Sequence, residues 1–453
     1  MPSRPRAHGA LVALVALFTA GYLAPYLLPT VVGRLAAGLG LGPARAGLVG
    51  SVLLLGSACA GFALAARVER IGPRRAARAG LLAMALGYGS AAATGTVPLV
   101  VAGVVLGGFG SGTATAVAAS GIAGRPDPQR ASTLGLLSVS ATAGALYLTL
   151  PQLGGGHALP LLALAGAAAL AWPATGRLPG AGRAYGAKAS GTRAYGPAAA
   201  PEAAGPLPYR RAGAVLAGGI LCWSLAQNAL WGVSGRIGTG QAGLSEVTVG
   251  AVFALALGAG LAGVTAAGAL GSRLGRAVPI GAGTVLIAAC VLLSSAAGGL
   301  ASFATGEILW NAVYPVVLSY LLGLAASLDP RGRWAVLVGS ASSLGTACGP
   351  VAGSLLSEAA GYPGMGAVLA ALLLLVAGPM AAVARHASGR PLVPGSIRRR
   401  GGAPAAFVAG TAPTTALLPQ VGAPEQEIAP IPAPATAARR TRSAFRLARP
   451  GRG

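Results

Sequence analysis

Glu307 is the residue of this chain whose type and setting could carry chemistry. It lies in the apolar run Ala304-Thr305-Gly306-Glu307-Ile308-Leu309-Trp310-Asn311. A charge near the interior of a bilayer costs about 3 kcal/mol on insertion scales. A carboxyl there must face a cavity or hold a proton, and either condition suits reversible proton binding. The plain alternative is a carboxyl near the outer mouth that is merely wet. The other eight of the nine acids, Glu69, Asp127, Glu202, Glu246, Asp329, Glu358, Glu425 and Glu427, fall in loops, tails or helix ends. Ser245 and Glu246 read as a helix start, where a hydroxyl caps and an acid suits the dipole. Glu358 reads as solvated.

Residues three and four apart share a helix face. Glu307, Trp310, Asn311 and Tyr314 form one such stripe, and Ser224, Gln227, Asn228 and Trp231 a second. Tyr22 with Tyr26, and Ser111 with Thr115, form shorter ones. Inside lipid a polar stripe has a purpose only if it meets water, substrate or another polar helix. Taken singly, each residue could equally make a helix–helix hydrogen bond, and Trp or Tyr near a helix end could anchor at the interface. Taken as a set, they predict a cavity of mixed aromatic and amide character. It holds no evident Lys or Arg, which argues against an anionic sugar phosphate as cargo.

The remaining chemistry-bearing residues are scattered. His8, His157 and His386 are isolated, and the loop acids are not paired as a catalytic couple would be. There is no GxxxxGK[ST] phosphate loop. The four cysteines, Cys59, Cys222, Cys290 and Cys348, have no metal spacing and read as small packing residues. Neither an enzyme nor a cofactor or metal site is expected.

These residues must be positioned by membrane helices. The chain has 453 residues, 54% hydrophobic and only 9% charged, where a soluble chain carries about a quarter charged. Its 73 glycines lie mostly within Leu-, Val- and Ala-rich runs, which favours close helix packing in lipid over disorder. The net charge of +24 could point to nucleic acid, but the basic residues separate apolar segments and do not build a soluble surface. The first apolar stretch is too long for a signal peptide.

A bilayer span needs about 20 apolar residues. Six spans are predicted at roughly 10–33, 46–66, 79–96, 98–122, 132–152 and 157–174, and six more at roughly 212–234, 247–269, 278–298, 302–325, 335–357 and 363–384. The domains are therefore two six-helix halves, 1–174 and 212–385, a linker at 175–211 and a tail at 386–453. The linker carries the short repeat Arg183-Ala184-Tyr185-Gly186 and Arg193-Ala194-Tyr195-Gly196. The Pro-, Ala- and Arg-rich tail is expected to be disordered. With the N-terminus inside, 30 of the 33 basic residues face the cytoplasm, and only Arg34, Arg45 and Arg236 face out. Both termini are then cytoplasmic, in the cell membrane.

The halves overlay on each other. Gly40-Leu41 matches Gly243-Leu244, Gly47 matches Gly250 and Gly72 matches Gly275, each at a shift of 203; Asp127-Pro128 matches Asp329-Pro330 at 202. The loop after span 2 reads Arg67-Val68-Glu69-Arg70-Ile71-Gly72-Pro73-Arg74. Its counterpart reads Gly268-Ala269-Leu270-Gly271-Ser272-Arg273-Leu274-Gly275-Arg276. Both resemble the GxxxDRxGRR loop of the major facilitator superfamily, and the chain is similar to that family over nearly all of residues 10–385. The first copy has Glu69 as the acid and keeps Arg70 and Gly72. The second keeps Gly268, Arg273, Gly275 and Arg276 but has Ser272 for the acid.

The resemblance implies an all-α fold of twelve membrane helices in two pseudo-symmetric six-helix halves. It gives the two loops a gating role, in which acid and arginines bond helix ends of the other half; setting topology is their simpler role. It places the stripes on spans 1, 4, 7 and 10, which line the central cavity in that family. The chain departs from the drug-exporter pattern. Val104 stands where many exporters have Arg, before Gly108-Phe109-Gly110-Ser111-Gly112. Span 5 reads Ser138-Val139-Ser140-Ala141-Thr142-Ala143-Gly144 in place of GxxxGPxxGG, and Gly345-Thr346-Ala347-Cys348-Gly349-Pro350 in span 11 is similar to that motif. Glu307 lies 203 residues after Val104, so the ionisable group has the symmetry-related place. The expected function is proton-coupled, efflux-like export of a small organic molecule by alternating access, with the protein acting as a monomer. A proton-coupled uptake symporter is the rival within transporters, and a non-transporting receptor or scaffold is the rival from another class.

Overall fold

The computed structural model describes residues 4–65, 67–154, 156–179, 207–271, 273–329 and 332–388. The N-terminal half comprises α1 (Arg4–Tyr26), α2 (Leu28–Leu39), α3 (Pro43–Ala65), the single turn α4 (Val68–Ile71), α5 (Pro73–Ala92), α6 (Val97–Ala123), α7 (Pro128–Thr149) and α8 (Ala158–Ala171), which runs into a 3₁₀ turn at Pro173–Arg177. The C-terminal half comprises α9 (Arg210–Arg236), a π-helical turn at Ile237–Gln241, α10 (Glu246–Leu270), α11 (Ala277–Ser295), α12 (Leu300–Leu328) and α13 (Arg333–Ser388). Ten of these helical stretches are long and apolar enough to cross a membrane. One of them, α13, holds two spans, broken at Gly361 with φ 67°. With α5 this makes the twelve expected spans, six in each half.

Local chemistry explains where the spans depart from expectation. Span 1 is two helices because Pro25 and Pro29 each lack an N–H for the helical ladder, and the chain breaks at Leu27 between them. Span 3 begins at Pro73, earlier than expected, because proline suits the first helical turn and the long stems of Arg74 and Arg75 can lie along it. Span 8 starts as predicted: Ser245 caps α10 by accepting from Thr248 N at 3.1 Å. The linker is ordered at its described ends, where Trp334 Nε1 donates to Pro208 O at 2.7 Å. The repeat around Tyr185 and Tyr195 and the chain beyond Ser388 lie outside the described residues. Of the cysteines, only Cys290 is buried; Cys59 is exposed, which corrects its reading as a packing residue.

The repeat seen in the sequence has a backbone counterpart. Gly40 and Gly243 both take left-handed φ, 61° and 65°, and so do Gly72 and Gly275, 91° and 66°. The halves meet where α3 packs on α13, α7 on α10 and α2 on α9. Polar contacts across this divide gather at the end carrying the α2–α3 and α9–α10 turns. Arg34 on α2 pairs with Glu246 at 2.7 Å and also donates to Gly154 O at 2.6 Å and Leu150 O at 3.3 Å. Ala44 N donates to Glu358 Oε2 at 3.2 Å, and Val351 N to Ser51 Oγ at 2.9 Å. Glu358 is exposed, yet it is a tie between the halves and not simply solvated. At the opposite end, Arg78 donates to Thr175 and Arg276 to Ser327, each within its own half.

Candidate functional site

The break in span 1 starts the site. Pro29 has no N–H to give to the carbonyl of Pro25. Trp231 of α9, from the other half, reaches that oxygen: its indole Nε1 donates to Pro25 O at 3.2 Å. One residue on, Tyr147 of α7 donates its hydroxyl to Tyr26 O at 2.6 Å. Two aromatic side chains therefore meet at the kink, 6.5 Å apart edge to face.

Around them stands an aromatic cluster drawn from both halves. Phe253 of α10 lies 5.1 Å from Tyr147 and 5.0 Å from Trp231, centroid to centroid. Trp310 of α12 lies 5.6 Å from Trp231, and Phe303 lies 6.0 Å from Phe253. Trp310 Nε1 donates to Gln227 Oε1 at 2.7 Å, which fixes the amide. Tyr314 stacks on Trp223 at 5.0 Å.

Glu307 is fully buried beside this cluster, one helical turn from both Phe303 and Trp310. Its Oε1 accepts from Ser234 Oγ of α9 at 2.8 Å. Its Oε2 is buried without a hydrogen-bond partner, although the hydroxyl of Ser294 on α11 is close enough to interact with the carboxyl. No cation among the described residues pairs with it. A carboxyl in this setting is not wet, so the outer-mouth alternative fails for this conformation. An unpaired buried oxygen is costly when ionised and far cheaper when protonated. Two more buried polar atoms nearby on α9 lack hydrogen-bond partners, Asn228 Oδ1 and Trp223 Nε1.

The predicted residues divide into two groups. Tyr26, Gln227, Trp231, Glu307, Trp310, Asn311 and Tyr314 are all buried toward the centre. Asn311 Nδ2 donates to Glu307 O, and Tyr26 comes near Tyr314 across the divide. The expected open cavity is not lined by them here; their rings fill the space and pack on one another. The others contact neighbouring side chains and backbone outside this cluster. Ser111 bonds Tyr88 at 2.9 Å, and Thr115 bonds Ser111 O at 2.9 Å and lies against Gly21 of α1. Ser224 bonds Ser342 at 2.8 Å, Asn228 Nδ2 reaches Thr346 at 3.2 Å, and Tyr22 lies 4.5 Å from Phe18.

Sequence reasoning missed Ser234, Ser294, Tyr147, Phe253 and Phe303. Ser234 was findable, since it extends the stripe from Trp231 by three residues. Tyr147 carried no local signal; only the fold brings it opposite Trp231.

In the two motif loops, Arg70 and Arg273 are exposed, and Arg276 donates to Ser327 of its own half at 2.6 Å. Gly268 lies inside α10 and not in a turn; the turn is made by Gly271 at φ 53°, whose carbonyl accepts from Tyr320. The side chain of Glu69 lies outside the described residues.

No protein-family model matches the chain, and no curated protein matches it. Solved structures do. The human organic anion transporter MFSD10 (TETRAN) is 18% identical with a TM-score of 0.57, over 83% of this chain and 100% of that one. A bacterial homolog of the human lysosomal transporter Spinster, in an inward-facing and unoccupied conformation, is 14% identical with a TM-score of 0.61, over 85% and 95%. A D-xylose-proton symporter is 14% identical with a TM-score of 0.63, over 82% and 96%. The chain has the fold of these major facilitator transporters.

Proposed function

We propose that the chain is a secondary active transporter, moving a small organic molecule by alternating access and exchanging it for protons at Glu307. The observation that carries this reading is the fully buried carboxyl of Glu307, with one oxygen bonded to Ser234 and the other unpaired, set between halves that are tied together at one end. Coupling needs a group that can change charge when access changes, and Glu307 is placed to do so. The named activities of the similar folds, an organic anion transporter and a proton symporter among them, are in keeping with carriage of small molecules.

In this reading the protein is a monomer in the cell membrane with both termini in the cytoplasm. The tied end is then the outer one, and Glu307 sits about 10 Å below the start of α12, just under the seal. Export is the preferred direction. The seal at Arg34, Trp231 and Tyr147 opens to release cargo and admit a proton to Glu307, and recloses with the proton aboard. The motif loops at the opposite end would gate the inner face, with Arg70 and Arg273 free to reach the other half in the outward-facing state.

The test is substrate flux in cells and proteoliposomes under an imposed pH gradient, with intact protein and Glu307→Gln. Flux driven by the gradient only in the intact protein is expected. Gradient dependence unchanged in Glu307→Gln would remove the carboxyl from the coupling step. Flux that runs inward with protons would reverse the direction assigned here.

A further inference from the structure

We propose that Glu307 and the aromatic side chains around it form a binding site for an organic monocation with an apolar or aromatic body, taken up in competition with a proton. This rests on the transport reading only for its cycle; the site itself is a matter of binding. The argument begins with what the carboxyl lacks. An ionised carboxylate can accept about four hydrogen bonds. Glu307 receives one, from Ser234, and its Oε2 makes none, with only the hydroxyl of Ser294 close by. With no Arg or Lys among the described residues paired to it, its countercharge must come from a ligand, whether a proton or a larger cation.

The rings select among cations. Trp231, Trp310, Phe253, Phe303 and Tyr147 form a continuous wall with neighbouring centroids 5.0–6.5 Å apart. Aromatic faces attract a desolvated cation held beside a carboxylate, and the apolar surface favours burial of an apolar body. A hydrated metal ion would find one carboxylate and the hydroxyls of Ser234 and Ser294, too few oxygens to replace its water. An anion would find an acid. The rings also explain access, since the wall is built from both halves. Trp231 holds Pro25, and Tyr147 lies against Phe253, so parting the halves at this end divides the wall and opens the carboxyl. Exchange at such a site is one cation for one proton, because each neutralises the same charge, and the cycle is electroneutral.

The titratable groups facing Glu307 from the packed helices are Tyr147 of α7 and Cys290 of α11. Neither is expected to titrate near neutrality, so a proton released on cation binding comes from Glu307.

The experiment uses the whole protein in nanodiscs at mildly alkaline pH, with its own tryptophan fluorescence as the reporter. The probes are benzyltrimethylammonium and neopentylbenzene, its uncharged carbon isostere. A saturable response to the cation is expected, with the isostere at least about tenfold weaker. In weakly buffered medium at mildly acidic pH, where Glu307 holds its proton beforehand, the cation should release close to one proton per protein. Glu307→Gln should abolish the proton release and bring the two probes within about twofold. The comparison of probes on intact protein stands even if that variant folds poorly. Equal binding of both probes, no response to the cation, or a cation preference that survives in Glu307→Gln would overturn the proposal. Cation binding without any flux would instead overturn the transport reading and leave the site intact.

Discussion

Gly47 and Gly250 occupy the same place in the two seams between the halves. A side chain on Gly47 of α3 would run into Ser354 and the carbonyl of Pro350 on α13, and one on Gly250 of α10 would run into the carbonyl of Tyr147 on α7. The glycines are 203 residues apart, and so are the carbonyls they press against, Pro350 and Tyr147. The shift read from sequence is thus the shift of a contact. Each half offers one glycine-backed helix and receives its partner's.

A first prediction follows at these seams. Gly47→Leu and Gly250→Leu meet backbone that has nowhere to retreat, and each should cost about 1–3 kcal/mol in the closed state. Gly144→Ala is the control, because its nearest neighbour across the divide is Ala254 Cβ at 3.9 Å. Spin labels on Gly42→Cys and Gly240→Cys, both on exposed turns at the tied end, should separate in the leucine variants and stay together in the control. An unchanged distance distribution in both leucine variants would mean the seams do not hold that end shut.

The ion pair at the tied end is unequal in its two partners. The Arg34 side chain is 10% exposed and the Glu246 side chain 59%. An exposed carboxylate contributes at most about 1 kcal/mol. Arg34 also serves two backbone carbonyls, and its loss should cost about 2–3 kcal/mol. Melting curves should therefore place Arg34→Met well below Glu246→Gln. The double exchange Arg34→Glu with Glu246→Arg should fail to restore the melting point, because Gly154 O and Leu150 O would still lack a donor.

Trp231→Phe keeps a ring in the aromatic wall but removes the donor to Pro25 O, at a cost of about 1 kcal/mol. Pro29→Ala supplies the missing N–H at its source. In that background Trp231→Phe should cost measurably less, and the difference closes a double-mutant cycle. A cost that is the same in both backgrounds would show that the indole bond is incidental.

Ser111 was expected in the cavity and is found bonded to Tyr88. Ser111→Ala and Tyr88→Phe should each lower stability by about 1 kcal/mol, while the apparent KM for substrate stays within about twofold. A tenfold rise in KM for Ser111→Ala alone would return that residue to the substrate path.

Most of the fold was legible because lipid leaves little freedom: spans must be long, apolar and helical, and the repeat at 203 residues fixed their grouping. The site was half legible. Glu307 stood out by cost, and Trp231 and Trp310 by spacing. Ser111, Thr115, Ser224 and Asn228 share that spacing, and a stripe cannot tell a face toward substrate from a face toward another helix. Tyr147 and Phe253 were invisible, because an aromatic residue in an apolar run gains meaning only from what stands opposite. The kink at Leu27 was written in Pro25 and Pro29, but its purpose depended on an indole some two hundred residues away.

The hydrogen-bond setting of Glu307 belongs entirely to one half. Ser234 on α9 and Ser294 on α11 lie in the same half as α12, so in the proposed rocking of the halves the carboxyl and its hydroxyl neighbours would travel together. What such a motion would take away is Tyr147, the ring from the opposite half. The N-terminal half holds Val104, buried and apolar, at the position matching Glu307. In the transport reading proposed above, the C-terminal half would carry the charge and the N-terminal half would serve as its shutter, a division of labour between two bodies that share one architecture.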